Sequence, residues 1–267
     1  MKRFILFWLL ITAAALAFGG QKALLIGNYS YPDGALLQPA LDLAKADTTL
    51  ASAGFTVTKH QNLNKTQMQA AVQQFASTLT GDDFVVFYYS GHGVPYNNRH
   101  YLLPADKSIT QAATLISNSV ELGWVTAQMD SADAVVSFID YNRRAVDLSS
   151  GSKTTTKAPP VAIPYNHAIV TSGTANIFAH YSATKASPSK FTNVLCPNLV
   201  QEGLKLEQIM TNVYGVLGIS MTAEVLPFTL GSPGMKDVII RLPAEAEENR
   251  AYKSFELDID GGGSYNF

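Results

Sequence analysis

The sequence predicts an α/β fold, a three-layer α/β/α sandwich around a mostly parallel central sheet of about six strands. Three observations carry that prediction. Two runs, Phe84-Val85-Val86-Phe87-Tyr88-Tyr89 and Ala134-Val135-Val136-Ser137-Phe138-Ile139, are almost continuously apolar. Strands covered by helices on both faces read this way, and parallel sheets are built from such strands. Segments of helical spacing also alternate with the strand-like ones, as a doubly covered sheet requires. Finally, each apolar run ends in polar residues able to do chemistry, Ser90-Gly91-His92-Gly93 and Asp140-Tyr141-Asn142-Arg143. In open α/β sheets ligand sites lie at the carboxyl ends of the strands.

Taken in order, Lys22-Ala23-Leu24-Leu25-Ile26-Gly27 is the first strand, and Asn28 to Gly34 is a turn-rich loop. Leu37, Leu41, Ala44, Leu50 and Ala51 recur at helical spacing up to Gly54. Phe55 to His60 alternates as a strand. Asn64-Lys65-Thr66 opens a helix whose apolar face is Met68, Ala71, Val72, Phe75 and Leu79, with Gly81 closing it. The central strand follows, and its two glycines around His92 predict a tight turn at residues 90–93. After Tyr101-Leu102-Leu103-Pro104-Ala105-Asp106 come a polar loop, a helix around Glu121 to Met129, and the strand that ends at Asp140. Residues 144–166, polar and then proline-rich, predict an exposed linker loop. His167 to Thr174 reads as the fifth strand. Helices follow over Asn193 to Glu202 and Leu206 to Tyr214, and Thr222 to Phe228 supplies a last core strand.

Composition bounds the class. A chain of 267 residues with 47% hydrophobic and 15% charged residues is globular and has length for a large core. A net charge of −2 offers nothing to nucleic acid. Lys2 and Arg3 precede an apolar run, Phe4 to Phe18, broken by Thr12, with Ala15-Leu16-Ala17 offering a small-residue cleavage site. Residues 1–20 are therefore expected to be a signal peptide, giving an exported protein, periplasmic or secreted, with no stable membrane association after cleavage. The single cysteine, Cys196, excludes an intramolecular disulfide.

With those segments in view, the chain resembles the caspase-like cysteine peptidases, closest to their bacterial branch, the orthocaspases or bacterial metacaspases. The resemblance rests on the first strand, Ser90-Gly91-His92-Gly93, the Tyr101 to Pro104 stretch, Asp140-x-x-Arg143 and Ser187-Pro188-Ser189-Lys190-Phe191-Thr192, in that order. It covers residues 22–240. It implies a caspase-like domain at 21–243, with a large half at 21–143, the linker loop at 144–166 and a small half at 167–243, followed by a tail at 244–267. It also implies that His92 is the catalytic histidine and that Gly93 lends a backbone N–H to an oxyanion hole. Asp42 and Asp140 fall on the acidic positions that hold arginine or lysine in this family. The nucleophile position departs from the pattern, because it holds Asn142 in place of cysteine.

That departure sets the functional expectation. A cysteine peptidase needs a thiolate, a proton-managing histidine and oxyanion donors. A carboxamide cannot replace the thiol, and losing one member of such a unit costs about a million-fold in a measured hydrolase. The expected function is a pseudopeptidase that keeps the His motif and an acidic pocket for basic peptide or protein segments. Two alternatives stand beside it: an active Arg/Lys-directed peptidase with a non-standard nucleophile, and a scaffold pairing with an active relative. Cys196, before Pro197 at an expected helix start, is the one candidate thiol, in a context matching no catalytic motif. Asp42 and Asp140 also admit a plain reading, as helix-start and strand-end residues kept for folding. Tyr141, where the family has alanine, is expected to narrow or reshape the pocket. No cofactor is expected. Calcium has no supporting residues, and His92, His100 and His167 lack metal-ligand spacing. The resemblance implies a monomer.

Overall fold

The computed structural model describes residues 19–97, 99–109, 111–143, 163–172, 187–218 and 228–243, with backbone alone at 112, 142, 143 and 228. The expected signal segment up to residue 18, the linker from 144 to 162 and the tail from 244 lie outside the described residues.

Strand β1 (Gln21–Gly27) leads into a small hairpin of β2 (Ser30–Tyr31) and β3 (Gly34–Ala35), then helix α1 (Gln38–Ser52). Next come β4 (Thr56–Gln61), α2 (Lys65–Ala76) and the long central β5 (Phe84–Tyr96). β6 (Arg99–Leu102), α3 (Ala112–Asn118), β7 (Val120–Glu121) and α4 (Leu122–Gln128) form an excursion before β8 (Ala134–Arg143). β9 (His167–Thr171), α5 (Lys190–Leu199), α6 (Leu206–Leu217), β10 (Phe228–Leu230) and a 3-10 turn at Pro233–Asp237 complete the described chain.

The sheet runs β10-β9-β8-β5-β1-β4, with β6 and β7 added beside the far end of β5. β4, β1, β5, β8 and β9 are parallel, and β10 is antiparallel to β9. Two helical layers bury its faces. α1, α5 and α6 bring Leu43, Leu50, Phe191, Leu195, Ile209 and Val213 against Tyr88, Val136 and Phe138. α2 and α4 bring Met68, Val72, Val125 and Met129 against Phe87, Tyr89 and Ile139. Each large side chain fully buried in this way contributes about 1.5–3 kcal/mol. The architecture is the three-layer sandwich that the continuous apolar runs call for.

Local signals set several boundaries. Asn64 accepts from the Gln67 N–H at 2.9 Å, and the Gln67 side chain accepts from the Asn64 N–H at 3.0 Å, a capping box that starts α2. Gly218 ends α6 at φ 73°, a conformation other residues rarely take.

Three expectations are corrected. Residues 90–93 do not turn: β5 continues through them to Tyr96, and neither Gly91 nor Gly93 has positive φ. The glycines answer to crowding instead. A Cβ on Gly91 would stand 2.7 Å from the Tyr89 hydroxyl and 2.8 Å from Asn28 O, and one on Gly93 would stand 2.8 Å from Tyr141 Cγ. The polar stretch after Asp106 is not all loop, for it holds α3. The helix expected at 193–202 starts and ends three residues earlier, because Ser189 caps it by accepting from the Thr192 N–H at 3.0 Å. Of the strand expected at 222–228, Phe228 alone is described, as the first residue of β10.

Candidate functional site

The site residues are set by the two longest parallel neighbours. In the β5–β8 register, Ser90 lies opposite Asp140, His92 opposite Asn142, and Gly93 opposite Arg143. Adjacent strands lie roughly 4.8 Å apart, so the backbones at His92 and Asn142 are immediate neighbours. Gly93 also lies opposite Leu102 of β6. Its backbone is therefore flanked by ladders on both edges, and ladder N–H groups lie in the plane of the sheet.

His92 is largely buried and its backbone is held from several sides. Its N–H donates to the Tyr31 hydroxyl at 2.8 Å, and its carbonyl accepts from the Tyr89 hydroxyl at 2.7 Å and from the Leu103 N–H at 3.1 Å. The Tyr31 ring stands against the imidazole, centroids 4.4 Å apart and tilted by 50°. The hairpin carrying Tyr31 is pinned through its base, where Asn62 accepts from the N–H groups of Tyr29 and Ser30 at 2.9 Å. Asn28, expected in an open loop, is fully buried, donating to Leu103 O at 2.9 Å and accepting from the Leu63 N–H at 2.9 Å.

Strand alternation puts Ser90, His92 and Asp140 on the sheet face covered by α1 and α5. There the two predicted acids meet. Asp42, on α1, and Asp140, at the end of β8, both have zero exposure. Ser189 bridges them: its N–H donates to Asp42 Oδ1 at 2.6 Å, and its hydroxyl donates to Asp140 Oδ2. Ser90 donates to Asp42 Oδ2 at 2.9 Å, and Thr192 to Asp140 Oδ2 at 3.2 Å. Beneath them the Tyr88 and Thr192 hydroxyls pair at 2.6 Å. Burial, and then the charge of Asp140, push the Asp42 carboxyl up to about 8, despite the stabilising bonds from Ser189 and Ser90. At neutral pH the pair therefore favours holding a proton. Two close carboxylates out of water share a proton for this reason.

Tyr141 faces the opposite way. It packs with the α2–α4 layer, its ring covers Gly93, and its hydroxyl lies 3.2 Å from His100 Nδ1. It does not narrow the acidic side, contrary to the sequence expectation, because one residue along a strand reverses the face. Cys196 is also relocated. It lies in the last turns of α5, not at a helix start, is 2% exposed, and burial pushes its thiol up to about 11. Such a thiol is inert. No group of three metal-binding side chains gathers among the described residues. No helix among them is long and apolar enough to cross a membrane.

A family model for the caspase domain matches residues 21–225. The chain belongs to the caspase domain family. The structure of caspase-1 from Spodoptera frugiperda matches with a TM-score of 0.57 at 16% identity, over 81% of this chain and 88% of that one. At that identity the likeness speaks for the fold. A search of curated proteins finds no match.

Within this caspase domain, the residues that the sequence singled out, His92, Gly93, Asp42, Asp140 and Asn142, have their backbones at one end of the sheet. Sequence reasoning missed Tyr31, whose hairpin carries no sequence signal for contact with His92. It also treated Ser90 and Ser189 as motif filler. Ser90 stands two residues before His92 and opposite Asp140 in the register, a pairing that could have marked it, whereas Ser189 carries no such signal.

Proposed function

We propose that this caspase domain is a pseudopeptidase of the bacterial orthocaspase type, which binds basic peptide segments through Asp42 and Asp140 without cutting them. One observation carries the reading: the register pairs Asn142 with His92, which supports the alignment by which the resemblance puts the nucleophile at residue 142. An amide cannot be activated by a neighbouring imidazole as a thiol can.

The buried acid pair supports the binding half. A guanidinium placed between two carboxylates would take up their crowded charge and displace the proton of Asp42. The proposal includes export after loss of residues 1–20, a monomeric state and no cofactor. The test is a fluorogenic assay with Arg and Lys substrates. Wild type, His92→Ala and Cys196→Ala are expected to show no turnover above buffer, and Asn142→Cys to gain measurable cleavage. Turnover by wild type that disappears in His92→Ala or Cys196→Ala would overturn the proposal.

A further inference from the structure

His167 opens β9 and has zero exposure, yet neither of its ring nitrogens has a hydrogen-bond partner. Buried polar atoms in native proteins are nearly always bonded, so a ring unbonded at both nitrogens asks for a reason. The register sets His167 opposite Val135 and Ile169 opposite Ser137 on β8. Val135 and Ile169 pack into the α2–α4 layer, so by alternation His167 and Ser137 face that layer too. Ser137 is fully buried, and its hydroxyl is unbonded as well. The residues before the ring, Ile163-Pro164-Tyr165-Asn166, are uncharged, as are those of α4 and β10. Asp133, just before β8, is exposed to solvent. Asp130, in the turn after α4, is the charged group that acts on the ring.

A neutral imidazole can occupy this slot at modest cost, but a protonated one cannot. Protonation adds a charge and a second N–H donor, and both would be left without partners out of water. Burial therefore drives the ring down to about 4, and the pull of Asp130 offsets it only in part. The folded value lies below the unfolded 6.5, so as pH falls below 6.5 acid favours any state in which water reaches the ring. Such a state does not require the whole domain to unfold. Among the described residues, β9 is separated from the sheet edge by the three residues of β10 alone. The amino end of β9 is held by Val135 N–H to Asn166 O at 2.9 Å, His167 N–H to Pro164 O at 3.1 Å and Gly231 N–H to His167 O at 2.7 Å. The Asn166 side chain adds a bond to Ala132 O at 2.5 Å. A Cβ on Gly231 would stand 1.8 Å from Pro164 O, so the chain after β10 lies directly on this segment. Segments held by a few bonds near a sheet border open at lower free energy than the core.

We infer that residues 163–167 and the end of β10 form an acid-opened clasp with His167 as its trigger. The neutral ring stays in its slot. The protonated ring leaves it, and the bonds that tie Asn166, His167 and Gly231 together open with it. The clasp lies at the amino end of the sheet, where the chain rejoins it after residues 144–162. Ser90, His92 and Asp140 lie at the carboxyl end of their strands. Opening thus frees the return point of the linker while the acid pair stays closed, and it requires no binding of basic segments.

The experiment is amide hydrogen exchange of the full chain, followed by NMR at about pH 7.5 and about pH 5, with each rate divided by that of an unstructured chain at the same pH. With ring values of 6.5 open and about 4 closed, the open population should rise about thirtyfold between the two conditions. Protection of the Val135, His167 and Gly231 amides should fall by about that factor in wild type. The Leu25 and Val86 amides, in β1 and β5, should hold within about twofold. In His167→Leu, protection at 135, 167 and 231 should change by less than about threefold between the two conditions. His167→Met should repeat that result and guards against misfolding of the leucine variant. An equal fall in wild type and both variants would overturn the inference. So would a fall shared by Leu25 and Val86, which would mean that the whole domain opens, and so would unchanged protection in wild type.

Discussion

Asp83 and the Asp42–Asp140 pair are buried carboxylates at opposite ends of one sheet, and they are treated in opposite ways. Asp83, just before β5, accepts from Lys22 Nζ at 2.9 Å and from the N–H groups of Thr80 and Gly20 at 2.6 Å. Burial pushes its carboxyl up, but these donors more than reverse the push and leave it below the ordinary value. Asp42 also accepts well-formed bonds, yet burial and its acidic neighbour leave it raised to about 8. Burial is common to both, so burial does not mark function. The two sites differ in that a second carboxylate lies beside Asp42, whereas a lysine lies beside Asp83.

The sharpest way to break this contrast is substitution by asparagine. Asp83→Asn should cost about 2 kcal/mol in denaturant unfolding, since an amide loses the lysine charge and cannot satisfy the same donors. Asp42→Asn should match wild type below pH 3.8 and be more stable than it at pH 7, because only wild type must take up a proton on folding there. Equal losses would erase the distinction.

Titration sharpens it next. The folded value for Asp42 lies above its unfolded 3.8, so the folded state holds a proton that the unfolded chain has released. Its contribution is complete below pH 3.8 and is lost as pH rises through about 8. The slope is at most about 1.4 kcal/mol per pH unit. Asp42→Asn should flatten the pH 5–8 limb of the stability curve, whereas Asp83→Asn should leave that limb intact. Asp83, held low, contributes above its unfolded value and is lost as pH falls further.

A smaller effect belongs to His167, at the amino end of β9. Neither ring nitrogen has a hydrogen-bond partner, and burial drives its ring down to about 4 although Asp130 pulls the other way. Here the folded value lies below the unfolded 6.5, so stability is full above 6.5 and is lost as pH falls through about 4. His167→Leu should therefore raise stability by about 1 kcal/mol at neutral pH, with a larger gain at pH 5. A variant less stable than wild type at pH 5 would show that the imidazole is used.

The sequence made the core legible because fully covered strands leave an unambiguous record. Val85 to Tyr89 and Val135 to Ile139 are apolar almost without interruption, and helical spacing flagged α1, α2 and α6. The course of the chain around His92 was hidden for a specific reason. Glycine is written into a sequence both for left-handed turns and for close approach, and Gly91 and Gly93 serve the second purpose. Their neighbours, Tyr31, Asn28 and Tyr141, come from distant segments that no local pattern announces. The same applies to Ser189, whose two bonds span 147 and 49 residues. The acids themselves were legible through resemblance, but their shared proton was not, since it arises from three-dimensional crowding.

The most direct test is titration of an arginine-containing peptide into the wild-type protein, with the peptide recovered and weighed by mass spectrometry. The account predicts saturable binding that Asp140→Asn abolishes and a peptide recovered intact after hours at neutral pH. A cleaved peptide, or heat that is the same with Asp140→Asn, would contradict it.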